Sequence, residues 1–385
     1  MKKRVLITGG SGFIGNAIVN YLDVDKKYEV RVLDCFSPQI HGEDYEKSYL
    51  YQGIKDKCEI INADVCNQEA LKKALVGVDY IIHLAAETGT GQSMYELSQY
   101  SNVNITGTVQ LVETILENKF PIQKIVLASS RAVYGEGMYL CKEHGVVYPK
   151  ARKVEDIKHK DFAVKCPVCE ENVELIQTTE ECKTNPYSFY AYTKLSQEQI
   201  FQTMCPILEI PYTIFRYQNV YGAGQSLQNP YTGMLSVFSK LLLQNKPINI
   251  FEDGEESRDF VHVKDVAKIT ADSLEQETTN TEVINVGSGI NISVLEAANL
   301  LKEYYHSDSQ IEISGDSRKG DIRHNCADIQ KAKTMCNFQP AYTFEQGMKE
   351  FTDWVLLQDR EVVLEEDSFK RSIHEMQEKG MFIKG

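Results

Sequence analysis

A glycine-rich turn near the start of the chain limits the possible folds more than any other feature. A short apolar run at residues 5–7 leads into the segment TGGSGFIG at residues 8–15, and an amphipathic segment follows. A second apolar run at residues 30–33 ends on Asp34. This order of strand, glycine turn, helix, strand and acidic residue is typical of the first βαβ unit of a dinucleotide-binding sheet.

The glycines of this turn have separate tasks. Gly9 permits a sharp turn, Gly12 lets the backbone approach a pyrophosphate, and Gly15 lets the helix pack closely against the strand. The pyrophosphate is then expected on the free N–H groups at the helix N-terminus. Asp34 follows about 20 residues later, where its carboxylate can bind an adenosine ribose and repel a 2′-phosphate. The prediction is NAD rather than NADP, and an ordinary strand–turn–helix unit is the alternative.

Composition narrows the class of protein. A chain of 385 residues with 42% hydrophobic content can form one large or two closely packed domains. The net charge of −14 argues against a broad basic face, so neither nucleic acid nor an anionic membrane is a predicted partner. No stretch reads as a signal peptide or as a membrane span. The ten cysteines are therefore expected to be reduced thiols in a cytoplasmic protein.

Strand and helix patterns alternate after the first unit. Strands are predicted at residues 58–62, 79–86, 124–130 and 212–217, and helices at residues 95–118, 190–202, 230–244 and 293–305. The alternation indicates an α/β fold with a Rossmann-type doubly wound parallel sheet, and it loosens into a smaller mixed α/β C-terminal substrate domain. We expect a cofactor domain at residues 1–215, a substrate domain at residues 216–357 with some segments returning to the first domain, and a charged helical tail at residues 358–385.

The tight glycine spacing, with Thr8 before it and Phe13 and Ile14 inside it, resembles the extended short-chain dehydrogenase/reductase family, in particular its NAD-dependent nucleotide-sugar epimerases and dehydratases. The resemblance covers roughly residues 4–354. It implies cofactor contacts from the glycine turn and from the ends of the strands that follow. The residues concerned are Gly9, Gly12, Phe13, Ile14, Gly15, Asp34, Asp64, Val65, Leu84, Ala85, Ala86 and Asn104.

Two of these positions and one residue outside the list have further interpretations. In the family, an aspartate at the position of Asp64 meets the adenine; the alternative is that Asp64 caps the helix that follows. Asn104 matches a residue that bridges strands near the active site. His83 lies within an apolar run and is interpreted as a packed core residue rather than a catalytic one.

The resemblance also assigns a catalytic group. Ser130 matches the family's serine at the end of a strand, and Tyr190 and Lys194 match its Tyr-x-x-x-Lys pair. Side chains four residues apart share one helix face, so Lys194 can stabilise the anion of Tyr190, while Tyr192 points elsewhere. The three residues could remove an alcohol proton while hydride passes to NAD, with Ser130 bonded to the same sugar oxygen.

The two residues after Ser130 favour one reaction. Relatives that remove water carry Asp-Glu there, whereas this chain has Arg131 and Ala132. The prediction is therefore 4-epimerisation of a nucleotide sugar, in which hydride leaves the sugar and returns after a keto intermediate has rotated. A ketoreductase of the same fold and a non-catalytic regulator with a zinc module are the alternatives.

The second half of the chain supplies the predicted substrate site. Asn219, Arg258 and Arg318 match positions that hold the diphosphate of a nucleotide sugar in similar epimerases, and Arg131 is assigned to the sugar. The planar guanidinium fork suits phosphate oxygens. Residues 215–221, 225–233 and 257–266 resemble dTDP-L-rhamnose 4-epimerases in particular. Such relatives pair through the helices predicted at residues 95–118 and 190–202, which implies a homodimer.

An insertion at residues 136–186 departs from the family pattern. It contains Cys141-x-x-His144 and Cys166-x-x-Cys169, and four such ligands in two short pairs suit a tetrahedral structural zinc ion. Incidental thiols with a chance histidine are the alternative, and Cys182 could replace the histidine. If a metal organises the insertion, we expect Arg152 over the sugar as part of the pocket wall.

Overall fold

The computed structural model describes residues 2–25, 27–227, 229, 233–358 and 368–385. Short 3-10 turns are present at Tyr45–Lys47, Gln92–Met94, Arg131–Tyr134 and Glu277–Thr279, and a π-helical segment at Ser101–Thr106. The α-helices of the described residues, in chain order, are α1 Phe13–Asp25, α2 Pro38–His41, α3 Tyr49–Gln52, α4 Gln68–Ala74, α5 Leu97–Tyr100, α6 Gly107–Asn118, α7 Val154–Lys158, α8 Phe189–Ile207, α9 Met234–Leu243, α10 Val263–Asp272, α11 Val294–Tyr304, α12 Gln330–Cys336, α13 Phe344–Leu356 and α14 Ser368–Glu378.

The strands belong to one large sheet and several small ones. In chain order they are β1 Lys3–Thr8, β2 Tyr28–Asp34, β3 Glu59–Asn62, β4 Tyr80–His83, β5 Lys124–Ser130, β6 Tyr139–Cys141, β7 Gly145–Val147, β8 Glu174–Leu175, β9 Tyr212–Tyr217, β10 Asn219–Tyr221, β11 Ile248–Ile250, β12 Ser257–His262, β13 Glu282–Val286, β14 Asn291–Ser293, β15 Ile311–Ile313, β16 Ser317–Arg318 and β17 Phe382–Ile383.

The large sheet is parallel throughout, in the order β3-β2-β1-β4-β5-β9-β13. Its strands are short apolar runs because helices cover both faces. Val5 and Ile7 pack into one helical layer, and Leu6 between them packs into the other. The predicted Rossmann-type doubly wound sheet is confirmed.

The sequence located the inner strands well and their ends less well. The predicted strands at residues 124–130 and 212–217 coincide with β5 and β9, whereas β4 ends at His83 rather than at residue 86. The single long helix predicted at residues 95–118 is instead α5, a π-helical segment and α6. π-Helical turns are frequent at functional sites, and this one carries Asn104.

The C-terminal domain packs α9, α11 and α13 around a core of its own, which includes Phe238, Leu301 and Phe351. Strands β10, β12 and β14 form a small sheet beside it. The helix predicted from residue 230 begins at Met234, and residues 230–232 lie outside the described part of the chain. The predicted mixed α/β domain is confirmed.

The insertion and the tail each add a small sheet. In the insertion, β6 pairs antiparallel with both β7 and β8. The tail contains α14 as predicted, while residues 359–367 of the predicted helical tail lie outside the described residues. Its strand β17 pairs with β16, so Arg318 lies in a strand. Within the described ranges, no helix is both long and apolar enough to cross a membrane.

A buried ion pair fixes α8 against the sheet. Arg216 on β9 donates two hydrogen bonds to Glu198 on α8, at 2.9 and 2.7 Å, and Ser129 on β5 donates to the same carboxylate. Both charged side chains are almost fully buried. Removing one partner of such a pair typically costs about 3–5 kcal/mol, because the other charge is left buried. The register of α8 on the sheet is therefore strongly specified.

Candidate active site

A cavity of about 610 Å³ lies at the carboxyl ends of the central strands, where ligands bind in sheets of this kind. It is lined by most of the predicted cofactor, catalytic and substrate residues. Those lining it are Gly9, Gly12, Phe13, Ile14, Gly15, Asp34, Asp64, Val65, Leu84, Ala85, Ala86, Ser130, Arg131, Tyr190, Lys194, Asn219, Arg258 and Arg318. Among the predicted residues for these functions, Asn104 does not line it.

The glycine turn is shaped for a close backbone approach. Gly9 has a φ of +69°, and a Cβ there would lie 2.7 Å from the backbone nitrogen of Ala85. A Cβ on Gly15 would lie 2.5 Å from the Cα of Gly10. Both positions therefore exclude other residues. The turn ends at the N-terminus of α1, whose free N–H groups line a site that fits a dinucleotide pyrophosphate.

Asp34 is held rigidly at the end of β2. Its carboxylate accepts hydrogen bonds from the backbone N–H groups of Ser11 and Phe36, at 2.9 and 3.0 Å. Burial raises the pKa of Asp34, and these two hydrogen bonds oppose that effect. The carboxylate oxygens retain lone pairs toward the cavity, which fits two ribose hydroxyl groups.

Asp64 lines the same part of the cavity and does not cap the next helix. Asn67 caps α4 by accepting a hydrogen bond from the N–H of Ala70 at 3.1 Å. Asp64 instead accepts from the N–H of Cys66 at 2.7 Å. The capping alternative is therefore wrong, and the carboxylate is available to a ligand.

Asn104 lies behind the cavity wall and holds two of its segments together by hydrogen bonds. Its amide oxygen accepts from the N–H of Glu87 at 2.7 Å, and its amide nitrogen donates to the carbonyl of Glu87 and to the hydroxyl of Thr193. It thereby joins the loop after β4 to α8. The prediction of a bridging position agrees with this geometry, but the residue bridges a loop and a helix and reaches the cofactor region only indirectly.

His83 is a core residue, as predicted from its apolar surroundings. It is fully buried, and its ring nitrogens lie 2.7 Å from the hydroxyl of Thr8 and 3.0 Å from that of Thr108. Burial, with a smaller contribution from the charge of Lys194, lowers its pKa to about 3. The ring is therefore neutral at physiological pH and serves as a buried connector.

The catalytic candidates converge at the first turns of α8. Ser188 caps this helix, Tyr190 and Lys194 lie on one of its faces, and Ser130 ends β5 opposite them. Burial raises the pKa of Tyr190, while a hydrogen bond with Ser130 and the positive charge of Arg131 oppose the rise. Both residues therefore favour the phenolate that a tyrosine base requires.

Lys194 is buried beneath this pair. Its ammonium group donates to the carbonyl of Ala128 at 2.7 Å and to the side chain of Gln197 at 2.8 Å. Burial lowers its pKa to about 7. Tyr192 is 53% exposed and does not line the cavity, as predicted from its position on the helix.

The far end of the cavity concentrates positive charge. Arg258 donates to the backbone carbonyls of Ile322 and Arg323, both at 3.1 Å, and lies 3.6 Å from the carboxylate of Asp321. Despite burial, the neighbouring arginines, Arg258 first among them, hold the pKa of Asp321 below its usual value. Arg318 lies over the ring of Phe251, 4.9 Å from its centre.

Several buried polar atoms in this wall have no partner among the described residues. These atoms are Asn219 Oδ1, Gln225 Oε1, Glu256 Oε2 and Arg318 Nε. A buried donor or acceptor without a partner typically costs about 1–3 kcal/mol, so these atoms fit a polar ligand. Gln225, Glu256 and Asp321 were not predicted from the sequence. Their closeness in sequence to the predicted substrate residues Asn219, Arg258 and Arg318 was a signal that could have identified them.

The four predicted metal ligands lie together in the insertion, with all ligand atoms within 4.8 Å of one another. Cys141 Sγ is 3.7 Å from Cys169 Sγ and 3.5 Å from His144 Nδ1, and Cys166 Sγ is 3.7 Å from that nitrogen. Ligands of a tetrahedral zinc ion with bonds of about 2.3 Å lie about 3.8 Å apart, so the donor set fits.

Two other expectations for the insertion are wrong. Cys182 packs against Val133 and Tyr134, away from the cluster, because the chain after β8 leaves the insertion's sheet and pairs with Ala327 through Thr178. Arg152 does not line the cavity, because its guanidinium group forms ion pairs with Glu136 and Glu252 behind the wall.

Comparison with known proteins agrees with this geometry. The NAD dependent epimerase/dehydratase family matches residues 5–156 and 163–287. A dTDP-L-rhamnose 4-epimerase of Burkholderia thailandensis is 35% identical, with 92% of this chain and 95% of that protein covered. A UDP-glucuronate 4-epimerase of Thermodesulfobacterium geofontis is 28% identical, with 91% and 95% covered.

A crystal structure of UDP-glucuronic acid 4-epimerase from Bacillus cereus, in complex with UDP-glucuronic acid and NAD, superposes with a TM-score of 0.76. It is 26% identical, and the match covers 92% of this chain and 99% of that one. The predictions of an enzyme of the epimerase type and of NAD as its cofactor are confirmed. From Val5 to Gly287 nearly without interruption, the chain belongs to the NAD-dependent epimerase/dehydratase family.

Proposed function

We propose that this protein is a nucleotide-sugar 4-epimerase that acts on an activated deoxyhexose, with dTDP-L-rhamnose as the first candidate. One observation carries the proposal. Ser130, Tyr190 and Lys194 line the same cavity as Arg258 and Arg318, and the two positions after Ser130 hold no carboxylate. The Burkholderia relative supports the choice of sugar.

The chain's own residues would carry the proton chemistry. Bound NAD supplies the acceptor, and later the donor, of the hydride on sugar C4. Tyr190 accepts the proton of the C4 hydroxyl while Ser130 holds the same oxygen. Once the keto sugar has rotated in the cavity and C4 has regained its hydride on the opposite face, Tyr190 would return the proton to the same oxygen. Sugar and cofactor therefore end in their starting oxidation states.

The diphosphate of the substrate would lie between the two cavity arginines. Arg258 and Arg318 supply planar donor groups, and Asn219 supplies a side-chain amide with an unpartnered oxygen. Arg131 follows Ser130 in the chain and lines the same cavity as Tyr190 and Arg258. We therefore assign Arg131 to the sugar or to the phosphate next to it.

Replacing Tyr190 with phenylalanine removes the acidic hydroxyl and keeps the ring. We expect kcat for epimerisation of dTDP-L-rhamnose to fall by about 10²–10⁴-fold while NAD remains bound. Proton NMR of the sugar pool measures turnover, and absorbance of released cofactor measures NAD content. Tyr192→Phe is the matched control and should retain activity. Substantial turnover by Tyr190→Phe would place the base elsewhere, and stoichiometric consumption of NADPH by the wild type would indicate a ketoreductase instead.

Replacing Asp34 with alanine tests cofactor choice. The change removes a buried carboxylate that would accept ribose hydroxyl groups, so NAD should bind about 10- to 100-fold more weakly. Binding of NADP should weaken less or improve, because the repulsion of its 2′-phosphate is lost. Calorimetric titration of cofactor-free protein gives both dissociation constants. A wild type that binds NADP as tightly as NAD would show that Asp34 does not have this role.

We further propose a homodimer formed through α6 and α8. These neighbouring helices expose apolar side chains, with Val109 42%, Leu116 47% and Tyr192 53% exposed. Light scattering at micromolar concentration should therefore give twice the chain mass of 43.7 kDa. Val109→Glu with Leu116→Glu should shift the mass to one chain, because two charges would be buried in the interface. A wild type that is monomeric would exclude this dimer.

We propose that Cys141, His144, Cys166 and Cys169 hold a structural zinc ion. The four residues fill a tetrahedral shell and lie outside the substrate cavity, so the metal would have no role in the chemistry. The hydrogen bond with His144 is the main cause that lowers the pKa of Cys141 to about 6, which favours the thiolate that binds metal. None of the ten cysteines forms a disulfide, in keeping with the reducing cytoplasm that we propose as the protein's location.

Elemental analysis of protein purified without chelator tests the zinc site. We expect about one zinc per chain in the wild type and less than about a tenth of an equivalent in Cys166→Ser with Cys169→Ser. Loss of the metal should also expose the insertion to limited proteolysis. Cys182→Ser is the matched control, because that buried cysteine lies outside the cluster and should leave the zinc content unchanged. If wild-type protein contains no transition metal, the zinc proposal is wrong and the four residues are incidental thiols and a chance histidine.

A further inference from the structure

Buried charges join the insertion to the C-terminal domain. Arg152, from the insertion, lies 2.7 Å from the carboxylate of Glu252 and 3.5 Å from that of Glu136. Arg323, from the C-terminal domain, lies 2.9 Å from Glu252 on the other side. The side chains of Arg152, Glu136 and Glu252 are at most 3% exposed. Solvent therefore screens these contacts little, and the geometry between the two parts is closely defined.

The same charged groups hold the backbone of the segment that carries the anion-binding side chains. We name residues 317–323, which begin with β16 and continue as a loop, the anion loop, because they contain Arg318 and the carbonyls that orient Arg258. Arg152 donates to the carbonyl of Asp321 at 3.2 Å, and Glu136 accepts from the N–H of Arg323 at 3.0 Å. Two residues of the insertion thus hold the loop at two backbone positions.

Movement of the anion loop would change the positions of both cavity arginines. Arg318 belongs to the loop, and Arg258 is oriented by the loop carbonyls of Ile322 and Arg323. Neither Arg152 nor Glu136 lines the cavity. Their influence on a ligand would therefore pass through the backbone of the loop.

A metal ion bound by the four clustered residues would add order to the insertion. Its hydrophobic core is small, with Tyr139, Val147 and Val164 packed around Cys141 and Cys166. Small domains with so little apolar burial depend on metal ligation for their fold. Tyr139 connects the cluster to the charges, because it precedes Cys141 on β6 and its hydroxyl lies 3.4 Å from Glu136.

We propose that the metal-ordered insertion positions the anion loop for the diphosphate of the substrate, with Arg152 as the positioning residue. This inference rests on the proposed function, since it takes a nucleoside diphosphate group to be the ligand of Arg258 and Arg318. The insertion thereby acts on substrate affinity. Cofactor affinity is independent of it, because the glycine turn lies at the opposite end of the cavity.

The test uses the full-length, NAD-loaded protein and measures binding of dTDP and UDP by calorimetry. Arg152→Gln should bind the wild type's preferred nucleoside diphosphate about tenfold more weakly, as when a group that orients a ligand contact is removed. Its zinc and NAD contents should be unchanged, and KM should rise while kcat stays within about threefold. Lys153→Gln is the matched control, because Lys153 pairs with Glu170 on the exposed side of the same insertion and should change none of these quantities.

Two further variants cover the case in which Arg152→Gln fails to fold. Arg152→Lys keeps the buried positive charge, so it should fold. It lacks the planar guanidinium fork, so it should bind the nucleoside diphosphate more weakly than the wild type does. The zinc-free variant Cys166→Ser with Cys169→Ser should show the same weakening with NAD still bound. Unchanged affinity in either variant would overturn the inference while leaving the proposed function intact. A wild type that binds neither dTDP nor UDP would overturn both.

Discussion

The close approach of α1 to the end of β1 is the constraint on which the site depends. A Cβ on Gly15 would lie 2.5 Å from the Cα of Gly10, so the helix can begin there only with glycine at this position. Its N-terminus then faces the edge where the parallel strands end. Asp34 reaches the same edge because β2 runs beside β1 in register, and its carboxylate is anchored on the N–H of Ser11 within the turn.

A set of buried hydrogen bonds connects this first βαβ unit to the proposed catalytic residues. His83 connects Thr8 at the end of β1 to Thr108 on α6, and Gln197 on α8 donates to Thr108 and accepts from Lys194. Each of these groups is buried and paired, so small displacements cost hydrogen bonds. The glycine turn and α8, which carries two of the proposed catalytic residues, are thus parts of one arrangement, as the proposed transfer of hydride and a proton at one sugar carbon requires.

The substrate end is built differently from the cofactor end. The cofactor end rests on one βαβ unit, whereas the anion loop is held by β17 of the tail and by the charged groups of the insertion. Buried ion pairs add little net stability, because the cost of desolvating the charges offsets much of their attraction. They do restrict the relative positions of the segments that they join. Family members can therefore share the cofactor end while the elements that shape the substrate end differ, and in this chain the insertion contacts the substrate end.

The sequence by itself determined the features that depend on local spacing. The first βαβ unit, the inner strands β5 and β9, and Tyr190 and Lys194 on one helix face all follow from periodicity and short motifs. The spacing of the cysteines and the histidine in the insertion also identified four residues that lie together in the structure. Contacts between distant segments were decided only by the tertiary structure, which directs Arg152 behind the cavity wall and pairs β16 with β17. The physical reason is that such contacts join residues far apart in the chain, whose partners leave no local pattern in the sequence.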